Sequence, residues 1–174
     1  MTKLERERLV AHFEMTNKWL EDEVQHLSPA QLAYHPGPDQ WSVIDVVEHL
    51  RLSEPIYWQE FHEALKGPPS GKKPPATDND ILWYGVDRTV RQKTTPDKVP
   101  KNERDDLATR LAALRRLHAE ILEYTRSTSD DLRGHVIEKE GTDAYQWLLG
   151  ISAHAQRHIL QIREIKASAG FPKA

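Results

Sequence analysis

The chain of 174 residues contains no cysteine, which removes several kinds of chemistry at once. Disulfide bonds, thiolate metal sites and a cysteine nucleophile are all excluded. No stretch approaches the roughly 18 consecutive apolar residues that a membrane-spanning helix needs. The first residues lack the apolar core of a signal peptide. We therefore expect a cytoplasmic protein with no membrane partner.

The chain also lacks a strong excess of either charge. Its net charge is −3 at pH 7 and its pI is about 6.3. Lysine and arginine are scattered rather than gathered along one face, so we expect no nucleic-acid partner. With 174 residues the chain is long enough to bury a real core, and we expect a single domain over residues 1–174.

Apolar residues recur at helical spacing in four long stretches, and no stretch alternates convincingly as a strand would. This pattern predicts an all-α fold, a four-helix bundle. A Ser-Pro pair also predicts a short helix after the first long one. The predicted helices cover about residues 2–26, 28–34, 42 to beyond 61, 102–126, and from Thr142 or Asp143 to before Gly170.

A long connection separates the second and third long helices. Residues 67–79 are rich in proline and glycine and are predicted to be irregular, and the connection continues to Lys101. Such a length indicates either a crossover or a cover over an active site, and it allows the two helices to run parallel. Trp83 and Tyr84 lie within it and are either a roof over a site or a small apolar cluster.

His154 and His158 are the centre of the functional hypothesis. Residues four apart on a helix project from one side, so these two rings can converge on one ion. Both lie on the apolar seam of the fourth helix, where buried imidazoles need partners for their nitrogens. The alternative is a pair of core histidines bonded to water or backbone. Two ligands are too few for a metal site, so a third must come from another helix.

His49 is the strongest candidate for the third ligand, because it lies between two apolar stripes of the second long helix. Ligands on facing helices build metal sites in bundles. The alternative is a buried histidine satisfied by Asp45, although Asp45 is better explained as a helix cap. His118 is a rival ligand on the third helix. The remaining candidates are predicted to lie at the surface or in loops: His12, His26, His62, His35 and His135.

Two known metal patterns are absent. A ferritin-like di-iron site needs two Glu-x-x-His pairs, and only Glu23 and His26 have that spacing. The zinc-protease His-Glu-x-x-His motif is absent too, which leaves no built-in general base beside the pair. Gln161, one turn beyond His158, either orients a ligand or water or serves as a packing amide. Arg157 points off the seam and is predicted at the surface.

Two segments of the chain resemble the DinB/YfiT-like superfamily of metal-binding four-helix bundles. They are Asp-Gln-Trp-Ser-Val-Ile-Asp-Val-Val-Glu-His-Leu at 39–50 and His-Ala-Gln-Arg-His-Ile-Leu-Gln-Ile at 154–162. The resemblance implies an up-down-down-up bundle with a long crossover between the second and third helices. It also implies that His49, His154 and His158 hold one divalent metal ion, that His118 is a core residue, and that the protein forms a homodimer.

Three imidazoles leave coordination positions open on Zn, Ni or Fe, and they do not select among these ions. Such an ion can activate water, or ionise a thiol brought in as a cosubstrate. The resemblance therefore implies a metal-dependent enzyme acting on a small-molecule substrate, either a thiol S-transferase using a low-molecular-weight thiol or a hydrolase. The alternative is a non-catalytic metal-containing bundle with a structural or ligand-binding role.

Overall fold

The computed structural model describes residues 1–101 and 106–173, and four long helices form its bundle. These are α1 (Lys3–Val24), α3 (Val43–Leu65), α5 (Leu107–Ser127) and α6 (Ala144–Lys166). Two shorter helices, α2 (Pro29–Leu32) and α4 (Asp78–Val86), lie in the connections. The strands β1 (Val136–Ile137) and β2 (Thr142–Asp143) pair antiparallel just before α6. Among the described residues, no helix is long and apolar enough to cross a membrane.

The ends of the long helices follow from local sequence signals. Ser42 and Asp143 each accept a hydrogen bond from a backbone N–H in the first turn of their helix. A side chain of that turn in turn accepts a hydrogen bond from the backbone N–H of the cap residue. The predicted starts of α3 and α6 are therefore confirmed. Asp106 caps α5 through the N–H of Thr109. The predicted start of this helix, at Asn102, lies outside the described residues.

Contacts between the helices fix their directions. The first residues of α1 and α6 contact each other and so do their last residues, so these two helices are parallel. Helix α3 is antiparallel to α6 and parallel to α5. This is the predicted up-down-down-up order. The bonds that establish it join Tyr145 to Glu5, Lys166 to Glu23, Trp147 to Tyr57, His49 to His154, Arg110 to Ile44 and Trp58 to Glu120.

The crossover between α3 and α5 is more regular than its composition predicted. Asp78 and Asn79 belong to α4, although the sequence placed them in the irregular stretch. A capping box between Thr77 and Asp80 begins the helix, and this was the signal available in the sequence. The two-residue strands were also unforeseen, because so short a segment carries no alternation.

Arg157 anchors the crossover to α6, so its predicted surface position is wrong. The side chain is buried, and its guanidinium donates to the backbone carbonyls of Tyr84, Asp87 and Val90. Carbonyls at the end of a helix have no partner within that helix, and a fork of N–H donors satisfies several of them together. Close packing also holds α4 here, since a Cβ on Gly85 would lie 3.0 Å from the carbonyl oxygen of Ala153.

A layer of polar side chains divides the core at the middle of the bundle. On each long helix one apolar cluster lies toward one end and a second toward the other. Buried polar residues occupy the positions between the two clusters, and every buried polar group needs a partner. The layer contains Thr16 on α1, Ser53 and Glu54 on α3, His118 on α5, and Ser152, His154 and His158 on α6, with His49 beside it on α3.

Candidate metal centre

Three histidine rings converge at one edge of this polar layer. The Nε2 atom of His154 lies 3.2 Å from Nε2 of His49 and 3.1 Å from Nε2 of His158. All three side chains are buried, and their ligand atoms lie within 4.8 Å of one another. Among the described residues, no Asp or Glu belongs to this group. The structure thus brings together the three residues that the sequence singled out.

The outer nitrogens of two of these rings are held by carbonyl groups. Nδ1 of His49 lies 2.8 Å from the backbone carbonyl of Lys98, and Nδ1 of His158 lies 2.9 Å from Oε1 of Gln161. Because a carbonyl oxygen only accepts hydrogen bonds, each Nδ1 carries the ring proton. The Nε2 atoms of both rings therefore present lone pairs toward the centre of the cluster.

A cation satisfies this arrangement better than a hydrogen bond does. Two lone pairs face Nε2 of His154, and one N–H on that atom can donate to only one of them. Metal–nitrogen bonds of about 2.0–2.1 Å place ligand nitrogens about 2.9 Å apart at right angles and about 3.4 Å apart in a tetrahedron. The observed separations of 3.2 and 3.1 Å lie between these values. The residues fit a divalent ion, and their spacing does not select one metal.

The surroundings keep the three rings in the form that binds a metal. Burial lowers the pKa of His49 below its ordinary value of 6.5. Burial and the neighbouring rings hold the pKa of His154 and His158 well below that value. The imidazoles are therefore neutral at neutral pH, and only the neutral ring has a lone pair for a metal.

A cavity of about 460 Å³ opens onto the cluster. The ring of Trp41 lies 4.9 Å from the ring of His49, and the ring of Tyr57 is perpendicular to that of His154 at 5.3 Å, both distances measured between ring centroids. Tyr84 and Lys98 also line this cavity. One side of the cluster is therefore accessible to a small molecule, while aromatic rings cover its flanks.

The secondary predictions have mixed outcomes. Gln161 holds His158, as one of its two predicted roles required. Asp45 bonds to Ser42 as a helix cap, and the partner of His49 is the Lys98 carbonyl instead. Tyr84 lines the cavity, but Trp83 does not and has 66% of its surface exposed. The roof prediction is therefore wrong for Trp83, which lies on the outer face of α4.

Histidines outside the cluster have other partners. His118 is buried, and its Nε2 lies 2.5 Å from Oε2 of Glu54. It is a core residue rather than a third ligand. His12 was predicted at the surface, yet it is half-buried and contacts Ser152 at 2.7 Å and Gln156 at 3.0 Å. Its charged sequence neighbours face solvent, whereas the ring itself turns into the groove between α1 and α6.

Sequence reasoning missed the contribution of Lys98. This residue ends a short 3-10 turn, Pro96–Lys98, and its carbonyl orients a histidine 49 positions earlier in the chain. The role of Tyr57 was missed as well, although this residue lies eight positions beyond His49 on the same long helix. No local signal marks Lys98, because its contact depends on how the crossover folds back over α3.

Comparisons with known proteins agree with the family resemblance and with the fold. The model of the DinB superfamily matches residues 7–162 of the chain. The uncharacterized protein YuaE of Bacillus subtilis (strain 168) is 24% identical over 149 residues, which cover 83% of this chain and 89% of YuaE. Among solved structures, YfiT from Bacillus subtilis matches with a TM-score of 0.66 and 20% identity, over 99% of this chain and 91% of YfiT. YfiT is described as a probable metal-dependent hydrolase with an unusual four-helix bundle topology. At this identity, the likeness establishes the fold alone.

Proposed function

The chain belongs to the DinB superfamily, and we propose that it is a metal-dependent hydrolase of a small molecule. In this proposal His49, His154 and His158 hold one divalent ion, and the substrate enters the adjoining cavity. The description of YfiT as a probable metal-dependent hydrolase supports the reaction class.

One observation carries the proposal. Three imidazole nitrogens converge on a point that a cavity reaches, and two of the rings are fixed so that their lone pairs face that point. Structural metal sites are closed by four protein ligands, whereas catalytic sites have three ligands and an open position. Among the described residues this cluster offers three, which favours catalysis over the structural alternative.

The protein side chains have distinct tasks in this site. An ion held there would polarise a carbonyl or phosphoryl group and lower the pKa of a water molecule. Gln161 and the Lys98 carbonyl fix the orientation of His158 and His49, which keeps the ligands in place while substrates exchange. Trp41 and Tyr57 shield the ligand rings from water. Glu164 accepts two bonds from Arg88, so we assign it no role in proton transfer.

Metal content tests the proposal directly. Untagged protein purified without chelator is compared with His154→Ala by mass spectrometry, with circular dichroism as the check on folding. We expect roughly one equivalent of metal in the wild type and its loss in the variant. His26→Ala, which removes an exposed histidine, is the matched control and retains the metal. Wild-type protein that takes up no metal even after reconstitution would contradict the proposal.

Activity screening then separates the reaction classes. Metal-loaded wild-type protein is assayed against ester, amide and phosphoester substrates, with and without a low-molecular-weight thiol. Turnover without thiol supports hydrolysis. Turnover only with thiol would assign thiol S-transfer instead, since the chain has no cysteine to supply the sulfur. A metal-loaded site without exchangeable water would favour the non-catalytic alternative.

A further inference from the structure

The cavity above the three histidines is cationic in a protein that is acidic overall. The chain has a net charge of −3. The charged side chains of the cavity wall nevertheless comprise more cations than anions, so the local field favours a negatively charged ligand. The cations are Arg88, Arg91, Lys93, Lys98 and Arg157, and the anions are Asp39 and Glu164.

Most of these cations are already engaged or lie at the rim. Arg88 forms two bonds of 2.9 Å with Glu164. The guanidinium of Arg157 donates hydrogen bonds to backbone carbonyls of the crossover. Arg91 and Lys93 are exposed, where water screens their charge. Lys98 remains as the half-buried cation of the wall.

The position of Lys98 is tied to the metal centre. Its backbone N–H donates to Thr95 across the 3-10 turn, and its carbonyl accepts the Nδ1–H of His49. The Lys98 ammonium lies 4.5 Å from the centroid of the Tyr57 ring. That ring in turn packs at right angles against the ring of His154, a candidate ligand. The chain thus fixes an ammonium group beside the place where a metal would be held.

The Lys98 ammonium has an aromatic partner and, among the described residues, no carboxylate within ion-pair distance. A cation–π contact compensates the charge of an ammonium group only in part, because an aromatic ring carries no full negative charge. A divalent ion in the three-histidine site would add further positive charge a short distance away. An anionic group between the ammonium and the ion would compensate both charges.

We propose that Lys98 binds an anionic group of the substrate, a carboxylate or a phosphate, between its ammonium and the metal centre. This inference rests on the proposed function and names the substrate class for the same site. The metal would hold the reacting group of the substrate. Lys98 would position the substrate by attracting the substrate's negative charge. Neutral analogues of the same size would bind more weakly.

Anion binding by defined probes tests this role. Zinc-loaded protein is titrated with inorganic phosphate and, separately, with succinate by isothermal titration calorimetry at low ionic strength. Lys98→Met removes the charge but preserves the side-chain stem over Tyr57 and the carbonyl that holds His49. We expect it to weaken binding of the preferred probe about tenfold or more, while the zinc content stays the same. The better-bound probe identifies the anion as a phosphate or a carboxylate.

Two further variants make the result specific. Lys98→Arg retains the charge, and we expect it to restore binding to within about threefold of the wild type. Lys73→Met removes an exposed lysine of the same crossover outside the cavity and leaves binding unchanged. Equal binding by the wild type and Lys98→Met would overturn the proposal, as would failure of the wild type to bind either probe.

Metal-free protein keeps this test separate from the proposed function. The same titrations are repeated after removal of the metal, with metal content measured on each sample. A weaker interaction that still depends on Lys98 supports the anion site even if the three histidines hold no ion. If wild type and Lys98→Met bind the probe equally in both the metal-loaded and the metal-free form, the anion site is overturned. The proposed function would still be supported if the wild-type protein contains metal.

Discussion

Two regions of the polar layer bury histidines with different partners. At one edge, His49 and His158 donate to a carbonyl and an amide, and their Nε2 atoms face His154 beside a cavity. Inside the bundle, His118 faces the carboxylate of Glu54. In the three-histidine cluster, nitrogen lone pairs therefore converge on a point that solvent can reach. In the His118–Glu54 pair, the imidazole contacts a buried carboxylate.

The difference shows what distinguishes the candidate metal site from a structural histidine in this bundle. Burial is common to both regions, because His118 is 5% exposed and His154 is 6% exposed. The distinguishing features are the number of converging nitrogens and the neutral groups that fix the ring tautomers. The carbonyl groups that bond to His49 and His158 are neutral, so the protein would not compensate the charge of a bound ion. An anionic ligand would then be favoured at the site.

The largest effect on stability is expected inside the bundle, at His118. In the wild type, Oε2 of Glu54 contacts His118 and its Oε1 has no partner among the described residues. His118→Ala would leave the buried carboxylate without its partner. We expect the free energy of unfolding to fall by about 3–5 kcal/mol in urea titrations while the metal content of the folded protein is retained.

Controls separate this effect from a simple loss of volume. Replacing Glu54 and His118 together by leucine removes the unpaired carboxylate, so we expect a smaller loss of stability than in His118→Ala alone. His26→Ala changes an exposed histidine and is expected to alter stability by less than about 0.5 kcal/mol. Loss of metal from folded His118→Ala protein would contradict the division between the two regions.

A smaller effect is expected from Gln161, whose amide fixes His158. Without that acceptor the ring is free to rotate or change tautomer, so Gln161→Ala should weaken metal affinity by about 10- to 100-fold. Competition with a chromophoric chelator measures the change. Gln156→Ala is the matched control, because its amide contacts His12 on the other side of α6. Equal affinity in both variants would assign Gln161 to packing alone.

Near neutral pH, the smallest expected effect is a pH dependence of stability in the metal-free protein. Burial holds the pKa of His154 and His158 below 6.5 in the folded state, so the unfolded chain binds more protons as the pH falls through that value. Stability is therefore fully present above about pH 6.5 and declines below it, by up to about 1.4 kcal/mol per pH unit for each ring.

Urea unfolding between pH 7.5 and pH 4.5 measures this slope. His154→Leu removes one of the rings whose pKa is lowered, so its stability should decline less steeply than that of the wild type. His26→Leu, which changes an exposed ring, should retain the wild-type slope. Identical slopes in the wild type and His154→Leu would show that the ring is not buried in the neutral form.

Much of the site followed from helical spacing. His154 and His158 stand on an apolar seam four residues apart, which places both rings on the buried face of α6 whatever packs against it. The position of His49 between two apolar stripes pointed to the same core. Spacing alone favoured His49 but left His118 as a rival, because an apolar stripe shows that a residue faces the core and not which neighbour it meets. The resemblance to the superfamily chose between them.

The sequence by itself determined the four long helices, the capped starts of α3 and α6, and the two histidines of α6, since these depend on contacts within a few residues. Only the tertiary structure decided that His118 meets Glu54, that Arg157 is buried under the crossover, and that Lys98 reaches both His49 and the cavity. These contacts join residues 49 to 73 positions apart. The path of the crossover sets them, and its proline-rich sequence specifies where regular structure stops but not where the chain then packs.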